Sequence, residues 1–297
     1  MAVAIGQTVR TYAELTKPRL LPLVLVTGLP ALAMAAGEWP APIEMGLVLL
    51  GIALAAAAAN TFNAYIERDL DGEMERTKDR PLPAGRLAPR AALLFGFALT
   101  AFSTVILYLF GGAVAAGLGV ATILFYVFVY TIWLKPRSAW NAVIGGAAGA
   151  AAPLIADASV NGSVGAPGLV LFGIVFFWQP PHVWAIALFR KDDYAKAGFP
   201  VLPNVIGDHP TRWRMFWYTL ALVPVTLAPV ALGLSGTLYL CVALAVNVWF
   251  LGHSVRVLRQ RTPESARAMF FASLGYLFAL FAAMIGELVF GLSPALA

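Results

Sequence analysis

Three residues near the end of an apolar stretch, Asn63, Glu67 and Asp71, recur at intervals of four. At about 100° per residue this spacing drifts only about 80° around a helix, so an amide and two carboxylates share one face. Such groups at the edge of a membrane are costly without a counter-charge. Magnesium takes one or two protein carboxylates and completes its shell with waters and phosphate oxygens, so this face suits a metal-bridged diphosphate. Arg68, Arg76, Lys78 and Arg80 follow within the next turns and could neutralise the remaining phosphate charge. Pro81 and Pro83 end any helix there and stiffen the loop. The plainer alternative is a solvated juxtamembrane loop whose charges report only topology, and Glu73, Glu75 and Asp79 read that way.

A second polar group lies in the run Trp178-Gln-Pro-Pro-His182-Val-Trp184, followed by Arg190-Lys-Asp-Asp193. Pro180 and Pro181 are expected to break or kink the helix and free backbone carbonyls that need partners or a cavity. Gln179 and His182 stand within apolar sequence, flanked by Trp178 and Trp184, which suggests a cavity for something flat, apolar and partly polar. If helix resumes after the prolines, His182, Phe189 and Asp193 lie near one face. The competing reading of His182 is a hydrogen-bonded histidine packing between helices. Asp192 and Asp193, with Arg190 and Lys191, form a second candidate metal and phosphate cluster. His209 reads as a loop residue, and His253 as a packing residue.

The elements that must position these groups are membrane helices. Of 297 residues, 60% are hydrophobic and 12% charged, about half the charged fraction of an ordinary soluble domain. Apolar stretches long enough to cross a bilayer recur along the chain, and they are apolar all round rather than alternating as barrel strands do. The expected fold is all-α, a polytopic membrane helical bundle forming a single domain over residues 1–297. About nine spans are predicted, near 20–37, 43–66, 91–111, 112–134, 140–157, 167–189, 215–234, 237–256 and 268–290. The divisions at Gly111-Gly112 and at Leu234-Ser235-Gly236 are the shortest. Ala/Gly-rich stretches at 55–59 and 145–152 read as close helix-packing surfaces.

Charge placement bears on that count. All 20 Lys and Arg fall within 10–19, 68–90, 135–137, 190–214 and 256–267, which are the N-terminal tail and every second connection of a nine-span chain. The positive-inside rule then places the N-terminus in the cytoplasm and the C-terminus outside. The N-terminal tail lacks a signal-peptide cleavage pattern, so the first span is expected to stay. The net charge of +5 reflects this orientation rather than a nucleic-acid partner. A single cysteine, Cys241, excludes an intramolecular disulfide and a cysteine metal cluster. Nearly all acids lie at one interface, with Glu287 deep in an apolar span.

At these residues the sequence becomes recognisable. Asn63-x-x-x-Glu67-x-Asp69-x-Asp71, followed by Met74-x-Arg76-Thr77-x-x-Arg80-Pro81, resembles the first Asp-rich motif of the intramembrane aromatic prenyltransferases, the UbiA superfamily. The wording is similar to one branch, the protohaem IX farnesyltransferases or haem O synthases. Trp178-Gln-Pro-Pro-His182-x-Trp184, Phe189-Arg-Lys-Asp-Asp-Tyr194 and Gly198-x-Pro200-x-Leu202-Pro203 look like that branch's second signature. Leu15-Thr-Lys-Pro-Arg19 and Asn141-x-x-Ile144-Gly-Gly146 also match. The resemblance covers the first seven spans and their basic loops. Two departures stand out: Glu67 occupies a position usually Asp, and the second motif carries His182 and Phe189 where acids are usual.

The resemblance implies farnesyl transfer from farnesyl diphosphate to the 2-vinyl group of haem b, in a bacterial inner membrane, with Mg²⁺ as cofactor. It also implies a hand-over of haem O to haem A synthase or a terminal oxidase. Asn63, Glu67 and Asp71 would hold metal, with Asp192 and Asp193 as second-site candidates. Arg76, Lys78, Arg80, Arg190 and Lys191 would serve diphosphate. His182, with Trp178, Trp184 and Gln179, would contact haem, the histidine as axial ligand or propionate partner. The rival within the class is a prenyltransferase acting on a quinone precursor or other aromatic acceptor. The rival from another class is a transporter using the histidine-bearing span, although transporters place binding residues near the midplane.

Overall fold

The computed structural model describes residues 2–75, 77–196 and 198–296, and among these the regular structure is helical throughout. In chain order the helices are α1 (Ala2–Leu15), α2 (Leu21–Ala36), α3 (Pro42–Ile66), α4 (Arg68–Glu73) and α5 (Pro89–Leu124), which continues as a π-helix over Phe125–Leu134. Three short pieces follow, α6 (Asn141–Ile144), α7 (Gly146–Gly149) and α8 (Ala152–Asn161), then α9 (Ala166–Phe189), α10 (Lys191–Lys196) and α11 (Leu202–Ile206). The last three long helices are α12 (Asp208–Ala231), α13 (Thr237–Gln260) and α14 (Pro263–Val289).

Among the described residues seven helices are long and apolar enough to cross a membrane, and α2 is a shorter apolar helix beside them. The segment Pro89–Leu134 is one of the seven at 46 residues. A straight helix of that length would measure about 70 Å, more than twice a hydrocarbon core of about 30 Å. It is not straight. Gly112, with φ 79° and ψ 178°, turns the chain back on itself. Leu99 before the turn and Ile123 and Val127 after it share one buried cluster with Ala55, Ala58 and Phe62 of α3. Glycine is needed there because a positive φ is strained for any residue with a Cβ. Counting this hairpin as two passes and adding α2 gives a number near the nine expected from hydropathy. The protein is an integral membrane protein.

The outward faces of the spans carry large apolar side chains such as Leu94, Phe102, Phe128, Val248 and Phe278, all exposed. In water such a surface would be an aggregation liability; against lipid tails it is the expected covering. The inward faces bury small residues of α3 and α8 and large ones of α9, α13 and α14.

Two buried acids close helix ends on the side away from the basic loops. Asp157 of α8 accepts from the backbone amides of Gly165 and Gly168 at the start of α9. Glu287 of α14 accepts from Gly236 at 2.7 Å and Tyr239 at 2.8 Å at the start of α13. The first amides of a helix lack intrahelical partners, and a carboxylate there also meets the positive end of the helix dipole. Glu287 is therefore a cap at a helix terminus rather than an isolated charge at depth.

Two other expectations need correction. α9 runs without interruption through Pro180 and Pro181, so the prolines do not break the helix. His209 lies in the first turn of α12, not in a loop. The chain can begin that helix there because Gly207 adopts φ 88° immediately before it.

Candidate active site

The site forms where α3 ends. Helical winding persists from α3 through Glu67 into α4, with the Asp71 amide donating to the Glu67 carbonyl at 2.7 Å. Asn63, Glu67 and Asp71 therefore stay in register, and all three are buried. Each has a basic partner from a different part of the chain. Lys17 Nζ donates to Asn63 Oδ1 at 2.7 Å, Lys135 Nζ to Glu67 Oε1 at 2.5 Å, and Arg80 Nη1 to Asp71 Oδ2 at 2.7 Å.

Local structure explains each delivery. Lys17 follows α1 with φ 53°, a conformation that a non-glycine residue adopts only when its surroundings impose it. Arg80 is brought back by a folded loop in which Thr77 Oγ1 donates to the Asp71 carbonyl and Leu82 is buried against Leu15, Ala64 and Ala92. Lys135 ends the π-helix, and its amide donates to the Tyr130 carbonyl five residues back. Wider winding marks functional positions in many helices. Here the same segment presents Thr131 Oγ1 to Asn63 Nδ2 at 3.4 Å. Lys135 also lies over the Phe199 ring at 4.9 Å, which ties the loop after α10 to the site.

Burial and the neighbouring positive charges of Arg80 and Lys135 push Lys17 down to about 8 from its ordinary value near 10.5, against the opposing pull of Glu67 and Asp71.

The donor set fits a hard divalent cation. Glu67 Oε2 and Asp71 Oδ1 have no hydrogen-bond partner among the described residues and are not sealed from solvent. With the Asn63 amide oxygen they offer oxygen ligands only, from few carboxylates, as magnesium with phosphate and water prefers.

The other expected residues divide. Arg76 lies outside the described residues. Lys78 points outward and pairs with Glu75 at 2.5 Å, so the structure does not bring it to the cluster. Arg190 pairs with Asp193 at 3.3 Å on the surface, Lys191 reaches Asp208 at 3.6 Å, and Asp192 is exposed. Arg190, Asp193 and Tyr194 face Glu73, Met74 and Glu75 across a cleft of about 230 Å³ beside the first cluster. Lys17 and Lys135 were missed as site residues. Lys17 stands within the Leu15-Thr-Lys-Pro-Arg19 run that carries the resemblance, whereas the signal for Lys135 is only its position at the basic end of a span.

An apolar cavity of about 340 Å³ lies deeper in the membrane. Asn60, three residues before Asn63, lines it together with Ala55, Ala56 and Ala59 of α3. The opposite wall is Ala148, Gly149, Ala151 and Ala152, and Trp178, Gln179 and His182 close one side. Gln179 Nε2 donates to the Gly146 carbonyl at 2.7 Å, anchoring α9 to the broken span. Glycine is required at Gly145, where a Cβ would overlap the Tyr130 ring. Trp178 Nε1 donates to the Ser273 carbonyl at 2.7 Å, and its ring stacks on His182 at 4.5 Å. Trp184 points elsewhere, fully buried against Trp140 and Tyr218, and takes no part in this cavity. Phe270 contacts both His182 and Phe189, but Asp193 does not join them.

A charged oxygen-donor cluster one helical turn beyond an apolar cavity, with Asn60 lining the cavity and Asn63 in the cluster, suits an amphipathic substrate. Residues 24–294 match the UbiA prenyltransferase family. The chain belongs to the UbiA prenyltransferase family. It is 44% identical over 291 residues to the protoheme IX farnesyltransferase of Methylobacterium radiotolerans, covering 97% of this chain and 92% of that one. It is 46% identical to the protoheme IX farnesyltransferase of Rhodopseudomonas palustris, covering 95% and 91%. Among solved structures, digeranylgeranylglyceryl phosphate synthase superposes with a TM-score of 0.77 at 18% identity, covering 95% of this chain and 99% of that one. A UbiA homologue from Archaeoglobus fulgidus bound to DMAPP and Mg²⁺ gives 0.62 at 17% identity, covering 93% and 99%. These two structures establish the likeness of fold.

Proposed function

We propose that this chain transfers the farnesyl group of farnesyl diphosphate to the 2-vinyl group of haem b, producing haem O and diphosphate. The observation that carries the reading is the juxtaposition of the Asn63-Glu67-Asp71 cluster with the cavity lined by Asn60 and His182. Relatives at 44–46% identity over nearly the whole chain bear the corresponding name. Residues 1–297 act as one domain in this reading.

The residues divide the work. Asn63, Glu67 and Asp71 would hold Mg²⁺, which when bound would stabilise the charge developing on the leaving diphosphate. Their lysine and arginine partners then become free to turn to phosphate oxygens, so Lys17, Arg80 and Lys135 change from counter-ions to substrate ligands. Electrostatic stabilisation of this kind is usually the largest contribution to catalysis. The apolar cavity keeps water from the allylic carbon while its C–O bond ionises. The electron-rich vinyl group attacks that carbon, and a water molecule adds to the resulting cation with loss of a proton, leaving a hydroxyethylfarnesyl side chain. Arg190 borders the cleft and would bind the outer phosphate, with Asp193 beside it as a second-site metal candidate.

The confined basic residues support a cytoplasmic N-terminus and an external C-terminus. The family resemblance implies the bacterial cytoplasmic membrane and passage of the product to haem A synthase or a terminal oxidase. The decisive assay combines purified protein, haem b, farnesyl diphosphate and Mg²⁺, with products resolved by mass. A product heavier than haem b by one farnesyl group and one hydroxyl is expected. Farnesylation of an added phenolic acceptor but not of haem would overturn the assignment.

A further inference from the structure

His182 is held on three sides. Its ring lies between Trp178, stacked at 4.5 Å, and Phe270 at 4.8 Å, and its Nδ1 is 2.7 Å from Ser273 Oγ. Ser273 is fully buried on α14, and its Oγ lies 2.6 Å from the Phe270 carbonyl. A serine hydroxyl has one proton, and a carbonyl can only accept. The serine proton therefore goes to Phe270, Oγ accepts from the imidazole, and Nδ1 carries the ring proton. Nε2 is left with its lone pair. Among the described residues Nε2 has no hydrogen-bond partner, and it is not one of the sealed, unpartnered polar atoms. His182 lines the alanine-walled cavity, so that lone pair has open space beside it.

A histidine oriented by a hydrogen bond at one nitrogen and free at the other is the arrangement that metal-binding histidines share. Small residues line the cavity beside His182, Ala55, Ala56 and Ala59 of α3 together with Ala148, Gly149, Ala151 and Ala152. Resting on the proposed haem-farnesylating activity, we propose that His182 Nε2 is the axial ligand to the iron of the acceptor haem. Ser273 is the positioning residue that fixes the imidazole tautomer. The aromatic clamp prevents ring rotation, so ligation sets both the depth of the porphyrin and the face it presents. The farnesylated vinyl group is then placed by coordination rather than by contacts with the vinyl group itself.

Full-length protein titrated with ferric haem b, followed by absorption and electron paramagnetic resonance, tests this. Wild type should give an imidazole-bound spectrum, and His182→Ala should lose it and recover it on addition of free imidazole. Ser273→Ala should weaken haem binding about 10- to 100-fold, the usual effect of losing a partner behind a metal ligand. Ser273→Thr, which keeps a hydroxyl, should restore it. Metal-free protoporphyrin IX should bind wild type and His182→Ala equally. An unchanged haem spectrum in His182→Ala, or a Ser273→Ala variant with wild-type affinity, would overturn the ligation while leaving the enzyme assignment standing. Absence of haem binding by wild type would instead remove the functional reading beneath it. Should His182→Ala fail to fold, the Ser273 pair decides on its own.

Discussion

Lys135 Nζ lies 2.5 Å from Glu67 Oε1 although 68 positions separate the two residues in the chain. The pair joins the end of a π-wound helix to the end of α3, with side-chain exposures of 22% and 7%. Breaking one partner of a largely buried pair leaves an uncompensated charge, whereas removing both leaves no charge to compensate. Lys135→Met and Glu67→Gln should each cost about 3 kcal/mol in stability, and the double variant should recover part of that loss. Thermal unfolding in detergent measures it. Turnover should remain lost in all three, because both groups serve the diphosphate site. A double variant as unstable as the sum of the singles would show that the pair is not coupled.

Asp71→Asn keeps the size of the side chain and one contact to Arg80 but removes the charge. Turnover is expected to fall about 100- to 1000-fold, the range for losing one group that stabilises transition-state charge. The Mg²⁺ concentration needed for half-maximal activity should rise in parallel, with the folded fraction unchanged by size-exclusion chromatography. Normal Mg²⁺ dependence would remove Asp71 from the metal site.

Glu287 serves structure rather than chemistry. Glu287→Ala leaves the amides of Gly236 and Tyr239 without partners, and each unsatisfied buried donor costs about 1–3 kcal/mol. The variant should inactivate at lower temperature, and Glu287→Gln, which retains one acceptor, should fall between the two. The KM for farnesyl diphosphate should not change; a raised KM would mean that the cap reaches the site.

Orientation can be read with fusions. A reporter inserted after Gly85 should read cytoplasmic and one after Ala297 external. Both reporting one side would require redrawing the hairpin at Gly112 or the short helix α2.

Much of this was visible in the sequence. Hydropathy located the spans because their lipid-facing sides are apolar, and the 3.6-residue repeat put Asn63, Glu67 and Asp71 on one face because helical winding continues past the end of α3. The Gly111-Gly112 turn was legible for the same reason, a glycine where the chain must reverse. Lys17 and Lys135 were not. Their roles depend on a strained φ and on π-winding, and neither leaves a periodic trace in the residues. Pro180 and Pro181 do not break the helix, because a proline signals the loss of an amide, not whether the surrounding bundle carries helical winding through it. Trp184, two residues from His182, faces Tyr218 instead, since two residues amount to more than half a turn of helix.

The capping of α13 by Glu287 has a bearing on how the protein is made. The first amides of α13 find their acceptor only on the helix that is synthesised after it. Until α14 enters the bilayer, those donors face hydrocarbon or remain at its surface, where water can satisfy them. Docking of α14 therefore completes the N-terminus of α13 as well as adding the last span. α14 also carries Ser273, so the step that completes the scaffold is the step that sets the histidine.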